Sequence, residues 1–166
     1  MAHGVVRTDK MFGTDNRTGL CSVKYFVSTT PTAIDNGNVV LVGDLITGER
    51  EIYSATTPAV DSDLKDIGLI ATPEMKYCPC DYALDKFENA AGAPARAYRL
   101  TPGCIFSVTA DALSSASTPA VGNLVELAAS TKLKVVSSAT SGSTQVGKII
   151  DINTVGRLTF YVIQVG

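Results

Sequence analysis

From Gln145 to Gly166 apolar and polar positions follow one another in a two-residue rhythm. Val146, Lys148, Ile150 and Ile152 interleave with Gly147, Ile149 and Asp151. Beyond Asn153–Gly156, Leu158, Phe160 and Val162 interleave with Tyr161, Ile163 and Val165. Alternation rich in β-branched and aromatic residues, split by an Asn/Gly turn, predicts a β-hairpin that reverses at Asn153–Gly156. The second half is apolar on both faces, which places it inside a sheet with cover on both sides. It runs to Gly166, so this end is expected to be paired into the fold.

The same reading yields short strands along most of the chain. Leu20–Ser28, Val39–Val42, Arg50–Ser54, Ile67–Ala71, Ala95–Leu100 and Cys104–Thr109 each form a strand-length apolar or alternating run. Asn123–Leu127, Leu133–Val136, Gln145–Ile152 and Leu158–Val165 complete the series. Turn chemistry separates them: Pro31 and Asn36-Gly37, Gly43-Asp44, Thr47-Gly48, Thr101-Pro102-Gly103, and the Gly/Ser-rich stretch Ser137–Thr144. Ala55–Asp66 and the Ser/Thr/Pro stretch Ser114–Pro119 read as loops. Between Pro73 and Pro94 the pattern is ambiguous. Asp81 can cap a short helix near 81–91 with Leu84, Phe87 and Ala91 on one face, or the same residues can be loop and edge strand. Strands at this spacing predict an all-β fold, an antiparallel β-sandwich or β-barrel with at most that one helix. Strands do not alternate with long helices, which argues against a parallel α/β sheet.

Residues 1–19 have no steady period and mix Arg7, Asp9, Lys10, Asp15 and Arg17 with glycines. They read as an extended N-terminal arm, ordered against a partner or frayed, ahead of a single β-rich domain over residues 20–166. On this reading, removing Met1–Gly19 leaves the domain folded.

Composition narrows the function classes. The chain has 166 residues, enough for one domain with a real core. Hydrophobic residues make up 45% and charged ones 18%, too apolar for a disordered chain and poor enough in charge to suggest that a partner covers part of the surface. With a net charge of −2 and no Lys/Arg run, the basic stripe of a nucleic-acid binder is missing, so direct nucleic-acid binding is not expected. No apolar run reaches the ~20 residues that span a bilayer, and the N-terminal decapeptide lacks a signal-peptide core. A soluble product of a cytosol, away from membranes, is expected.

The chemical motifs are sparse. Cys78-Pro79-Cys80 brings two thiols one residue apart, but a closed zinc site needs four ligands. The remaining candidates are Cys104, Cys21 and the single histidine, His3. The spacing is also not that of a redox Cys-x-x-Cys pair, and incidental reduced thiols are the simpler reading. Asp61, Asp63 and Asp66 lack the central glycine and bidentate glutamate of a calcium hand, so a solvated loop is expected. With His3 as the lone histidine, a Ser-His-Asp or Cys-His arrangement has no base. Glu49 and Glu51 flank Arg50 on a strand edge and read as a wet hairpin face. A paired-carboxylate glycosidase would want aromatic platforms, yet tryptophan is absent. Gly142 lies in a Ser-rich turn without the Lys-Ser/Thr of a phosphate loop. No catalytic, cofactor-binding or metal-binding residue is assigned, and an enzyme is not expected.

One likeness rises above this background. The run AGAPARAYRLTPGCIFSVTADAL, followed by PAVGNLVELA, a Gly/Ser turn and VGKIIDI…RLTFYVIQV, resembles the small decoration or cement proteins of tailed-bacteriophage capsids. The resemblance lies on Arg96-Ala97-Tyr98, Phe106, Val121-Gly122 and Val146-Gly147, and spans the chain from about residue 91 onward. It is a loose strand pattern, and the cysteines are not part of it. It implies a virion structural protein, made in the bacterial host cytoplasm, that sits on the capsid exterior and binds the major capsid protein. A homo-oligomer would match the shell's symmetry, a trimer being favoured. Other virion β-proteins, such as a tail tube or head–tail connector subunit, are the alternative. A carbohydrate-binding β-module would want more exposed aromatic platforms than the six tyrosines offer.

Overall fold

The computed structural model describes residues 3–11, 19–75 and 86–166. Over these residues the chain is built from β-strands and short 3-10 turns, without an α-helix. In order the strands are β1 (Val6–Lys10), β2 (Leu20–Val27), β3 (Thr30–Pro31), β4 (Val39–Leu45), β5 (Ile52–Thr56), β6 (Ile67–Ile70) and β7 (Ala95–Arg99). They continue as β8 (Ile105–Thr109), β9 (Leu113–Ser115), β10 (Leu124–Ala128), β11 (Ser130–Val136), β12 (Gln145–Val155) and β13 (Leu158–Val165).

The choice between sandwich and barrel resolves as a small closed barrel packed against an open sheet. Strands β2-β5-β4-β6-β7 form a sheet whose last strand pairs back onto β2, closing a small barrel, with β3 appended to β2. The other sheet is open, in the order β1-β8-β13-β12-β10-β11-β9. Pairing is antiparallel except for β2–β5 and β9–β11.

A five-stranded barrel has little room inside, and the sequence meets this with small side chains. Its interior holds Val23, Val40, Val42, Ala55, Ile70, Ala95 and Ala97, with Tyr25 and Ile34 alongside. Gly68 belongs to the same economy, since a Cβ there would lie 3.1 Å from Ala97 Cβ and 3.1 Å from Val42 Cγ2. The second core lies between the barrel wall and the open sheet. Val39, Ile67, Leu69, Tyr98 and Leu100 meet Phe106, Val125, Leu133, Val146, Ile149 and Ile163 there. The unbroken run Val39–Val42 follows from this arrangement. Val39 and Leu41 face the interlayer core while Val40 and Val42 face the barrel, so one strand serves two cores.

The C-terminal hairpin forms with three corrections. β12 runs through Val155, so the reversal falls at Gly156-Arg157 rather than across Asn153–Gly156. Strict alternation also fails. Register shifts against β10 and between Ile149 and Asp151 place Val146, Ile149 and Ile152 on the core side together, the local effect of β-bulges. The third concerns cover. β13 lies between β8 and β12 with Ile163 and Val165 in the core, but on its other face Phe160, with the Arg7 guanidinium 5.2 Å from its ring centroid, is buried while Val162 and Gln164 are only half-buried.

The N-terminal segment is the largest departure from expectation. Val6–Lys10 does not form a separate arm but pairs with β8 as a strand of the open sheet, and Val5 and Met11 are buried at its two ends. Mixed charges hid this strand, because Arg7 and Asp9 lie on its outer side, bonded to each other at 3.3 Å, with Asp9 also accepting from Ser107 Oγ. Ser114 and Ser115, read as the start of a loop, belong with Leu113 to a short strand parallel to β11. The short helix near 81–91 lies mostly outside the described residues. Within them Phe87 and Ala91 are not helical, and Asn89 bridges to Ile34 in antiparallel fashion.

Candidate functional site

Three polar constellations stand out against this apolar framework. A concavity of about 650 Å³ opens where β2 separates β5 from β7, and is lined by Cys21, Ser22, Glu51, Tyr53, Arg96 and Arg99. Arg99 is held from below, donating to Lys65 O at 3.0 Å and lying 4.0 Å from Asp66. Arg96 is exposed and has no ion pair among the described residues, although its backbone N–H is fixed by Thr72 Oγ1 at 3.0 Å. Cys21 Sγ donates to Ala97 O at 3.6 Å. Burial pushes its thiol pKa up, and the nearby Arg99 charge opposes that only in part. A raised thiol is a poor nucleophile, so this cleft is built for polar contact with two guanidinium groups rather than for thiolate chemistry.

The second constellation is a buried amide network. Asn36, 1% exposed, donates to Thr72 O at 2.8 Å and accepts from Thr72 N at 3.0 Å. Asn89 donates to Asn36 Oδ1 at 3.1 Å and to Ile34 O at 3.0 Å. Glu74 leans onto this network, its Oε1 3.4 Å from Asn36 Nδ2. Burial raises the Glu74 pKa, and the Asn36 amide pulls it part of the way back.

The third lies beside it. His3 Nδ1 and Asp35 Oδ1 are 2.8 Å apart, and Glu88 offers a second carboxylate, all the donor atoms lying within 4.8 Å of one another. It is the one group of three potential metal ligands among the described residues. Reading along the chain missed it, because residues 3, 35 and 88 share no spacing motif and meet only through the fold. The nearest signals were the single histidine, His3, weighed as a zinc ligand beside the cysteines, and the turn at Asn36-Gly37 that follows Asp35.

The residues singled out from the sequence mostly disperse. Cys78 and Cys80 lie outside the described residues. Cys104 sits in the interlayer core while Cys21 packs against the barrel core, so these two thiols do not converge. Asp63 pairs with Lys65 at 2.9 Å and Asp66 approaches Arg99, so neither joins a shared carboxylate cluster with Asp61. Glu49 binds Lys24 at 3.0 Å on the exposed edge, while Glu51 lines the cleft. Gly142 occupies a positive-φ turn with open space around it. Of the residues that carried the resemblance, Tyr98, Phe106 and Val146 share the interlayer core and Ala97 fills the barrel. Gly122 N bonds to Ile149 O at 2.8 Å, and Arg96 alone reaches the surface with a charge.

Compared with known proteins, the chain matches no family model, no curated protein and no solved structure. None of the helices over the described residues is long and apolar enough to cross a membrane.

Proposed function

We propose that this chain is a virion structural protein of the decoration class, binding the outside of a tailed-phage capsid and bridging neighbouring capsomers. One observation carries the reading beyond the sequence resemblance. Among the described residues the large apolar side chains left exposed, Val27, Leu45, Val60, Met75, Val121 and Val155, stand at strand ends or in loops and turns, no two on the same strand. Contacts scattered over a stiff β-framework suit a protein that touches several neighbours weakly and gains strength from many copies acting together. Such a protein stabilises a shell by binding only its assembled form. The major capsid protein is the partner, and a cyclic trimer at local three-fold positions is the symmetry match. The test is co-sedimentation with purified empty heads of the phage whose structural genes neighbour this one. Saturable uptake onto heads, and none onto unassembled capsid subunits, is the expected result. No uptake overturns the proposal.

A second reading rests on the open sheet, whose outer strands β1 and β9 each have one partner strand among the described residues. Edge strands of this kind can add a strand from a neighbour. As a tail-tube or connector subunit the protein would then assemble with itself. Rings or tubes in negative-stain images of the purified protein would favour that reading over decoration.

A further inference from the structure

We propose that His3, Asp35 and Glu88 form a binding site for a divalent first-row transition-metal ion that fastens the chain's N-terminal end to the β3–β4 loop. The donor set, one imidazole nitrogen and two carboxylates, suits such ions, whose bonds to nitrogen and oxygen run about 2.0–2.2 Å. Adjacent donors around one ion therefore stand about 3 Å apart, and His3 Nδ1 and Asp35 Oδ1 already lie at 2.8 Å. Glu88 is the exposed member of the group, free to swing the short remaining distance.

Three features hold these donors together apart from any ion. Ile34 and Asn89 exchange backbone hydrogen bonds of 3.0 and 2.9 Å in an antiparallel bridge, which sets Asp35 and Glu88 at facing positions one residue further on. Like charges directly opposite one another across such a pair repel. A cation between them removes that repulsion. The buried amides of Asn36 and Asn89 lock the two backbones, as supporting groups behind metal ligands do. His3 is delivered from the other side by a close approach that only glycine permits, since a Cβ on Gly4 would lie 2.6 Å from Asn36 O. The ion would take the place of the hydrogen between His3 Nδ1 and Asp35 Oδ1, with the neutral imidazole keeping its one ring proton on Nε2.

The experiment is Co2+ titration of the full chain after chelator treatment, followed by visible absorption and by thermal unfolding. One-to-one binding is expected, with a raised Tm and without the intense near-ultraviolet band of cobalt–thiolate bonds, which separates this site from the cysteines. His3→Ala, Asp35→Asn and Glu88→Gln should each weaken Kd at least tenfold. Glu88→Gln keeps the His3–Asp35 contact, so its metal-free Tm should match that of the native chain. Absence of saturable binding, a thiolate band, or undiminished binding by Glu88→Gln would overturn the proposal.

Discussion

Val5 and Thr109 are bonded to each other twice: Val5 N donates to Thr109 Oγ1 at 3.0 Å, and Thr109 N donates to Val5 O at 2.9 Å. That clamp seats the N-terminal strand on β8, with Val5 and Met11 each 2% exposed. Burying two such side chains contributes roughly 1.5–3 kcal/mol apiece. Deleting Met1–Gly19 is therefore expected to lower unfolding free energy by on the order of 3–6 kcal/mol, a large part of the usual stability of a domain. Urea unfolding of the truncated chain checks this. A midpoint equal to that of the full chain would mean that β1 is dispensable.

Gly147 sits where two strands meet too closely for any side chain. A Cβ there would lie 2.0 Å from Gln164 O and 2.8 Å from Gln164 C, both backbone atoms that cannot swing aside. Gly147→Ala must part β12 from β13 beside the bulge. The expected cost is about 3 kcal/mol or more, the upper end for overpacking. Gly166→Ala, with open space around the site, should stay within about 0.5 kcal/mol of the native chain. Chemical denaturation of both variants gives the contrast, and equal effects would contradict the geometry.

How much of this was readable in advance depends on how far each feature reaches along the chain. Runs such as Cys104–Thr109 and Leu158–Val165 announce themselves because a strand-length apolar run bounded by turn residues is a local property of the sequence. β1 did not, since Arg7 covers Phe160 and Asp9 meets Ser107, contacts made only after β8 and β13 are in place. The bulges of β12 were equally hidden: Val146, Ile149 and Ile152 share a side only because the partner strands impose the slip. Barrel closure by β2 and β7 joins Leu20 to Tyr98, a pairing that no window of sequence contains. The His3–Asp35–Glu88 group was invisible for the same reason.

Asn36 has four hydrogen-bonding relationships, to Thr72 twice, to Asn89 and to Glu74. Asn36→Ala leaves Thr72 N and one Asn89 amide proton to find new partners in a largely buried place. The expected loss is roughly 3 kcal/mol, the sum of such orphaned groups. Asn153→Ala removes only an exposed bond to Asp151 and should change stability by less than about 0.5 kcal/mol. Thermal unfolding separates the two, and a mild Asn36→Ala would show the network to be replaceable.

Glu74 gives stability a pH dependence of known sign. Burial raises its pKa in the folded chain above the ordinary carboxylate value, so the folded state holds its proton more tightly than the unfolded state. The stabilising contribution of the protonated form is present below the ordinary carboxylate pKa and disappears as pH rises through the raised one. Glu74→Gln keeps an acceptor for Asn36 Nδ2 and cannot ionise. Its Tm should therefore fall less than that of the native chain across this window. Parallel slopes for the two proteins would show that Glu74 is not the source.

Arg96 offers the most direct link between the cleft and a partner. It projects from β7 without an ion pair among the described residues, while its backbone N–H keeps the strand anchored to Thr72. Truncating it should leave Tm unchanged within about 1 °C, because exposed charges away from special features shift stability little. Under the decoration reading Arg96 meets an acidic group on the shell, so Arg96→Ala should reduce head uptake at low salt. The difference from the native chain should shrink as ionic strength rises and the Debye length falls below about 8 Å. Sedimentation with heads at two salt concentrations reads both effects. Equal uptake at low salt would move the contact away from this cleft, toward the apolar tips at Val121 and Val155, where salt should have no such influence.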